Sequence, residues 1–212
     1  TTALAVWDDA LIEWGSRITA ARIEWTAAHA EPFAQYYAEI GGGFGARLVY
    51  APAITLAEDE AAAEPAIAEP AIARAFADRL RRVSARERER GLTLAGPHRD
   101  DLLVLTAGEE GEIDLRDYGS GGQLRTAAIA LRMIEAKTIR EARGRPPLIL
   151  LDDVFAELDA GRSRRVLALL DAAERAQVIL TAPKPVDLGG AAGSGFASSL
   201  VHWRIAAGRI TP

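Results

Sequence analysis

Large apolar side chains at the start of the chain recur at alternating intervals of three and four residues. This spacing places them along one face of a helix, the pattern of a helix that packs lengthwise against a partner helix. The pattern therefore predicts a long helix whose tryptophans belong to a core, interrupted at Pro32 and ended by Gly41–Gly43. The apolar positions are Leu4, Trp7, Leu11, Trp14, Ile18, Ala21, Trp25 and Ala28.

A second amphipathic helix is predicted after a connector, and we expect it to end at Gly91. Two prolines in the connector, Pro65 and Pro70, argue against one continuous helix there, because proline removes a backbone donor. A short strand-like stretch is possible at residues 47–56. We expect residues 1–90 to form a helical arm domain. The apolar face of the second helix consists of Ile72, Phe76, Leu80 and Val83.

The pattern changes after Gly91, where strands begin to alternate with helices. Two short stretches at residues 102–106 and 112–115 predict a hairpin, and Ser120–Arg143 predicts a helix closed by a glycine. Strands alternating with helices indicate an α/β layer structure, so residues 91–212 form a predicted second domain. Its later elements are the apolar strands Leu148–Leu151 and Gln177–Thr181, with a helix between them at Asp159–Ala173.

Composition narrows the class of protein further. Hydrophobic residues make up 49% of the chain and charged residues 26%, which is ordinary for a globular protein. The absence of cysteine excludes disulfides and thiolate zinc sites, and the three histidines show no ligand spacing. No apolar run approaches the ~20 residues that cross a bilayer. We expect no secretory signal, because the sequence shows no basic n-region followed by an apolar h-region. We expect a soluble, cytoplasmic protein without a membrane partner.

Charge is spread unevenly along a chain whose net charge is −5. Residues 71–99 contain eight arginines against three acidic residues, a local charge of +5. Such a basic stretch on an acidic protein can bind phosphate groups without giving the rest of the surface a nonspecific affinity for them. The alternative is a solvated helix face with no partner.

The first candidate motif is Ser120-Gly121-Gly122-Gln123, at the start of the predicted long helix. Ser120 is a favourable N-cap, and the glycines let backbone N–H groups approach a ligand. Unpaired N–H groups and the helix dipole attract phosphate at such a terminus. The alternative is an ordinary capped loop.

The second candidate motif is the pair Asp152 and Asp153 at the end of the strand Leu148–Leu151. α/β sheets bind ligands at the carboxyl ends of their strands. In nucleotide-hydrolysing enzymes the first such carboxylate belongs to the Mg²⁺ shell, and the next residue orients the attacking water. The alternative is a strand–helix turn in which aspartate serves only as a cap.

The two motifs, with Glu157-Leu158-Asp159 after the second, resemble the C-terminal lobe of an ABC-type ATPase head. In such a lobe the signature, the Walker B motif and the D-loop follow one another in that order. Three stretches are similar to the RecF family of bacterial DNA replication and repair proteins: GLTLAGPHRDDL at 91–102, LLDDVFAELD at 150–159 and QVILT at 177–181. Residues 1–90, with Trp7-Asp8, resemble the helical arm of that family. The resemblance covers nearly the whole chain.

The resemblance implies a role for each motif residue. Ser120, Gly121, Gly122 and Gln123 would contact the γ-phosphate of ATP held by the other subunit of a head-to-tail dimer. Asp152 would hold Mg²⁺, and Asp153 would be the catalytic carboxylate. Leu158 and Asp159 would form the D-loop at the dimer interface. His98 and Arg99, in a motif between arm and lobe, are expected to be structural.

Three departures from the ATPase pattern matter. No G-x-x-x-x-G-K-[ST] occurs, so we expect the P-loop lobe to precede this chain, which alone would be inactive. Asp153 stands where many such ATPases have glutamate, and its shorter arm predicts slow hydrolysis. The strand ending at Thr181 is not followed by the histidine that many ABC proteins place there.

The sequence therefore predicts an ATP-dependent DNA-binding protein of recombinational repair and replication, a weak DNA-stimulated ATPase as the complete chain. Its expected partners are single- and double-stranded DNA, their junctions, a recombination mediator such as RecR, and a second copy of itself. Arg81 and Arg82 are the candidate DNA contacts. Two alternatives stay open: a non-catalytic module that binds a partner or DNA, and another SMC-like ATPase head.

Overall fold

A computed structural model of the chain describes residues 2–54, 56, 65–109, 111–155, 158–172, 177–182, 201 and 203–211. The chain folds into two compact units, each packed within itself. The first unit comprises residues 1–31 and 47–114, and the second comprises residues 32–46 and 115–212. None of the boundaries between these units falls at residue 90. The division into a helical arm at 1–90 and an ATPase lobe at 91–212 stays a prediction.

The elements mix helices with short strands, as expected for an α/β chain. The helices are α1 (Thr2–Gly41), α2 (Pro65–Arg90), α3 (Leu115–Tyr118), α4 (Gly121–Arg143) and α5 (Ala160–Ala172), with a 3₁₀ turn at Pro97–Arg99. The strands are β1 (Arg47–Ala51), β2 (Asp101–Gly108), β3 (Gly111–Asp114), β4 (Ile149–Leu151), β5 (Val178–Leu180), β6 (Arg204–Ala206) and β7 (Arg209–Thr211). Among the described residues, no helix is both long and apolar enough to span a bilayer.

The first unit packs α1 and α2 around one apolar cluster beside an antiparallel sheet of order β1-β2-β3. The predicted apolar face of α2 is confirmed, since Ile72, Phe76, Leu80 and Val83 are all buried. α2 ends at the predicted place, where Gly91 takes a left-handed conformation with φ of 63°. The predicted hairpin is also confirmed as β2 and β3.

The predicted packing face of α1 is only partly right, although the helix itself is confirmed. Trp7, Trp14 and Ile18 are 74%, 58% and 44% exposed, whereas Leu11 of the same pattern packs against the apolar cluster. The buried face carries small side chains instead, and Gly15 brings α1 against the Phe76 ring, where an added Cβ would lie only 3.0 Å from Cζ. The most buried positions of α1 therefore allow a close approach of α2, which the heptad pattern did not predict.

Two predicted breaks at prolines are also wrong. Pro32 lies inside α1 and Pro70 inside α2. A proline within a helix loses one backbone hydrogen bond and adds a steric clash, but tertiary packing can offset that cost. The turns after Pro32 bury Phe33 and Tyr37 almost completely. Pro65 is the first residue of α2, where its missing N–H costs nothing, and residues 57–64 of the connector lie outside the described part.

Asp100, just before β2, is the buried carboxylate that joins the elements of the first unit. Its side chain is 3% exposed and accepts hydrogen bonds from the Tyr50 hydroxyl of β1 and from the backbone N–H of Ala53 at 2.8 Å. Arg22 of α1 lies 3.4 Å from the same carboxylate and donates to the carbonyl of Pro97 at 2.6 Å. Burial and the hydrogen bond to Asp100 raise the pKa of Tyr50 to about 12, so the phenol remains a donor at neutral pH.

The second unit packs α4 and α5 against one face of β4 and β5, which pair in parallel as predicted. Ile149, Leu151, Val178 and Leu180 belong to or line this core. Full burial of the strand was expected and is wrong: Leu150 points away from the core and is 66% exposed. The last turn of α1 joins this unit, because Arg165 of α5 donates to the carbonyl of Ile40 at 2.9 Å. A terminal hairpin of β6 and β7 was not predicted.

Replacing Asp100 by asparagine tests how far the first unit depends on this carboxylate. The Asp100→Asn variant keeps the side-chain volume but removes the charge, and its amide NH₂ group would face groups that are themselves hydrogen-bond donors. We therefore expect the free energy of unfolding to fall by about 2 kcal/mol or more. Asp101→Asn, at an exposed neighbouring carboxylate, is the matched control. Equal stability of the two variants in urea unfolding would contradict the role given to Asp100.

Candidate functional site

The predicted signature lies at the N-terminus of α4, and its conformation is set by a capping box. Ser120 is the N-cap, with φ of −67° and ψ of 156°. Its Oγ accepts from the Gln123 backbone N–H at 3.3 Å, while its own N–H donates to Gln123 Oε1 at 2.8 Å. The side chains of Ser120 and Gln123 therefore fix the turn. The N–H groups of Gly121 and Gly122 precede the first intrahelical bonds and remain for a ligand.

The residue before the signature must be glycine. The backbone N–H of Gly119 donates to the carbonyl of Leu115 at 2.8 Å, which closes the short helix α3. A Cβ at residue 119 would overlap that same carbonyl oxygen. The close approach lets the chain turn from α3 directly into α4, and it aims the first turn of α4 outward, where Ser120 and Gly121 are exposed.

The two predicted carboxylates lie together in an exposed turn after β4. The Thr181 hydroxyl, at the end of β5, donates to Oδ1 of Asp152. The same hydroxyl accepts from the backbone N–H of Asp153 at 3.0 Å. Asp153 has φ of 49°, a left-handed conformation that side-chain-bearing residues rarely adopt. Both side chains are exposed, so their carboxylates are open to a ligand.

The signature helix and the carboxylate turn are joined by one side chain. Arg125, two residues beyond Gln123, donates from Nη1 to the carbonyl of Asp153 at 2.9 Å. The predicted site residues included neither Arg125 nor Thr181, although Thr181 ends the stretch QVILT that carries part of the resemblance. Thr181 could have been found from the parallel order of β4 and β5, whose carboxyl ends meet at one edge, whereas no sequence signal pointed to Arg125.

The predicted D-loop residues lie at the start of α5. Asp159 Oδ1 accepts from the Arg162 backbone N–H at 2.9 Å, so Asp159 caps the helix. That hydrogen bond holds the pKa of the exposed Asp159 carboxyl below its ordinary value. Leu158 is half-buried against the core of the second unit. Ala156 and Glu157, between the turn and the D-loop, lie outside the described residues.

The donor set at Asp152 fits Mg²⁺. No cluster of three histidine, cysteine or acidic side chains occurs in the described ranges, so a closed protein cage for a metal is not formed there. Mg²⁺ does not need one, because it is usually held by one or two carboxylates together with phosphate oxygens and water. The exposed carboxylate of Asp152, oriented by Thr181, can supply such a ligand, with Asp153 adjacent.

The remaining predicted residues belong to the first unit. Arg81 and Arg82 are exposed on α2, and Arg81 forms an ion pair with Asp78. His98 and Arg99 both hydrogen-bond to the carbonyl of Thr93, at 3.1 Å and 3.3 Å, which holds the loop after α2 in place. These contacts are local to the loop.

Comparison with known proteins finds several relatives that share one name. The chain is similar to the DNA replication and repair proteins RecF of Cyanothece sp. (35% identity over 85% of this chain), Halothermothrix orenii (37% over 86%) and Anaeromyxobacter dehalogenans (39% over 81%). It spans 44%, 46% and 43% of the lengths of those three relatives. No protein-family profile matches the chain.

The fold is also that of a solved RecF. The structure of the recombination mediator protein RecF–ATP in the RecFOR pathway matches with a TM-score of 0.66 and 28% identity. The match covers 87% of this chain and 46% of the other, and the RecF–ATPrS structure matches equally. The predicted fold class, an α/β lobe of an ABC-type ATPase head with a helical part, is confirmed by this likeness.

Removing the signature cap tests whether Ser120 organises the start of α4. We expect Ser120→Ala to lower the free energy of unfolding by about 1 kcal/mol, since the first turn loses its side-chain acceptor. Ser120→Asp keeps an acceptor and should restore most of the loss. Ser84→Ala, at a serine that bonds only within its own helix, is the control. A Ser120→Ala protein as stable as the control in urea unfolding would refute the capping role.

Proposed function

Since the chain belongs to the RecF family over 81–86% of its length, we propose that it carries half of the ATP site of an ATP-dependent DNA repair protein. The observation that supports this most is the hydrogen bond from Arg125 to the carbonyl of Asp153. It links the start of α4 to the carboxylate turn after β4, so one packed unit would supply a part for each of the two nucleotides of a head-to-tail dimer.

ATP would join two complete subunits head to tail. Each subunit would present the N–H groups of Gly121 and Gly122, with the positive end of the α4 dipole, to the γ-phosphate held by its partner. Leu158 and Asp159 would lie near the same interface. Because the hydroxyl of Ser120 and the side chain of Gln123 already form the capping box, recognition of the phosphate falls chiefly to the backbone.

Hydrolysis would use the two carboxylates after β4. Asp152 would hold Mg²⁺, which when bound neutralises charge on the phosphate oxygens. Asp153 would orient the attacking water and accept its proton. The short aspartate arm, on backbone held at φ of 49°, leaves little freedom to follow the water, so turnover is slow and suits a switch.

The P-loop would come from a part of the complete protein outside these 212 residues, which contain no G-x-x-x-x-G-K-[ST]. The chain by itself would not hydrolyse ATP. The complete protein would work in the cytoplasm on single- and double-stranded DNA and their junctions, together with a recombination mediator such as RecR. Binding along α2 would be mainly to phosphates and therefore dependent on salt.

A non-catalytic module that only holds a partner or DNA is the second candidate function. The lack of a phosphate-binding lysine motif in the 212 residues favours it. The two candidates differ in whether ATP drives dimerisation of the complete protein.

Replacing Asp153 tests the enzymatic proposal. In the complete protein we expect Asp153→Asn to lower kcat for ATP about 10²-fold, since loss of a general base typically costs 10²–10⁴-fold. ATP-driven dimerisation, followed by light scattering, should persist because the signature is intact. Asp171→Asn, at an exposed carboxylate of α5, should leave both measurements unchanged. A wild type that neither dimerises nor hydrolyses ATP would leave the non-catalytic module as the function.

Reversing charge on α2 tests the DNA contact. We expect Arg81→Glu with Arg82→Glu to weaken DNA binding and to flatten its dependence on salt, by roughly 0.9 in the logarithmic slope for each lost contact with duplex phosphate. The matched control reverses the same charge at Arg132 and Arg140, which are on α4. Equal weakening by both pairs would mean that only net charge matters and that α2 makes no specific contact.

A further inference from the structure

Two side chains with no predicted role hold the carboxylate turn from different elements. Thr181 follows β5, the strand that pairs with β4, and Arg125 lies in the second turn of α4. Thr181 forms hydrogen bonds with both Asp152 and Asp153. Arg125 forms one with Asp153. Neither residue carries a role assigned above by the resemblance.

The Thr181 hydroxyl uses both of its hydrogen-bonding capacities on the turn. A hydroxyl has one donor hydrogen and two acceptor lone pairs. The donor goes to Oδ1 of Asp152, and a lone pair takes the Asp153 N–H at 3.0 Å. The backbone N–H of Thr181 is itself fixed by the carbonyl of Leu151 at 2.9 Å. The hydroxyl therefore sets the orientation of one carboxylate and the backbone position of the other.

Arg125 holds the peptide unit on the other side of Asp153. Its guanidinium donates to the carbonyl of Asp153 at 2.9 Å, so both backbone polar groups of Asp153 are engaged by side chains. Backbone in a left-handed conformation persists only where its surroundings determine it, and such positions cluster at functional sites. Asp153, with φ of 49°, is held in this way by Thr181 and Arg125.

Arg125 also belongs to the signature helix. It follows Gln123 by two residues, and Gln123 is bonded to Ser120 in the capping box. A shift of the first turn of α4 on meeting a phosphate therefore moves the anchor of Arg125, and through it the carbonyl of Asp153. In a head-to-tail dimer, the signature contacts the partner's nucleotide, whereas Asp153 acts on the nucleotide of its own subunit.

We propose that Thr181 and Arg125 are positioning residues of the ATP site, and that Arg125 couples engagement of the signature to the placement of Asp153 in the same subunit. Thr181 holds the turn in its working conformation. Arg125 makes that conformation depend on the partner's nucleotide, so the two ATP sites of a dimer respond to each other. The proposal rests on the proposed function, since it assigns regulation to that site.

The Thr181 part is tested with Thr181→Val, which keeps the shape and removes the hydroxyl, and Thr181→Ser, which restores it. In the complete protein we expect Thr181→Val to lower kcat at least ~10-fold, in the range typical of lost outer-shell partners, with KM for ATP unchanged. Hydrogen exchange at the Asp153 amide, measured without nucleotide, should become faster in Thr181→Val and return to the wild-type rate in Thr181→Ser. Thr138→Val, at a threonine whose hydroxyl donates to a carbonyl of its own helix, is the control.

The Arg125 part is tested with Arg125→Ala against Arg132→Ala, an exposed arginine on the same helix. We expect exchange at the Asp153 amide to slow when ATP drives dimerisation of the wild type and of Arg132→Ala, and not in Arg125→Ala. Because both residues hold the backbone of Asp153, the combined loss of kcat in the double variant Thr181→Val with Arg125→Ala should be smaller than the product of the two single losses.

The outcomes separate the two levels of the proposal. Hydrolysis and Asp153 exchange that are unchanged by Thr181→Val and Arg125→Ala would overturn the positioning roles and leave the proposed function standing. Multiplicative losses, with normal slowing of exchange in Arg125→Ala, would overturn the coupling. A wild type that does not hydrolyse ATP would overturn the proposed function and this proposal with it.

Discussion

Parallel pairing of β4 with β5 is the constraint on which the site depends. Parallel strands end at the same edge of a sheet, so the carboxylates after β4 meet the residue after β5. The register puts Leu151 opposite Leu180, and one residue further Asp152 meets the Thr181 hydroxyl. A register shift of one residue would turn the strand faces over and remove that hydroxyl from the turn. The packing of Ile149 and Leu151 on α4 and α5 therefore also fixes the chemistry at the strand ends.

Local signals in the sequence predicted most elements of the second unit, because those signals act within a few residues. Ser120 is the N-cap that the sequence indicated, and Gly144 closes α4 in a left-handed conformation. What the sequence could not supply is which face of an element is covered. Trp7 and Trp14 of the α1 pattern lie on an exposed face, whereas the buried Gly15 lies close to the Phe76 ring. Pro32 likewise stays inside α1 because burial of Phe33 and Tyr37 offsets the lost hydrogen bond.

The residues of the candidate site show the same difference between local sequence signals and contacts made only in the folded chain. The resemblance placed Asp152, Asp153 and the signature from short contiguous motifs. Thr181 and Arg125 were missed because their importance arises from hydrogen bonds across 28 positions of the chain, to Asp153 from either side. Arginine is common in this sequence, so no count or spacing separates Arg125 from its neighbours. Only the geometry of the folded unit does.

The slow hydrolysis that we propose would have the same physical origin as the tightly held backbone of Asp153. A left-handed aspartate engaged at both its N–H and its carbonyl has few ways to adjust its carboxylate, and aspartate has one methylene fewer than glutamate with which to reach a water molecule. Catalysis then depends on the turn being placed correctly before the water arrives, since misplacement by ~1 Å can cost ~10²-fold in rate. Under the proposed function, such a site would hydrolyse ATP only when the surrounding elements are in place, and this would suit a protein in which bound ATP holds two subunits together.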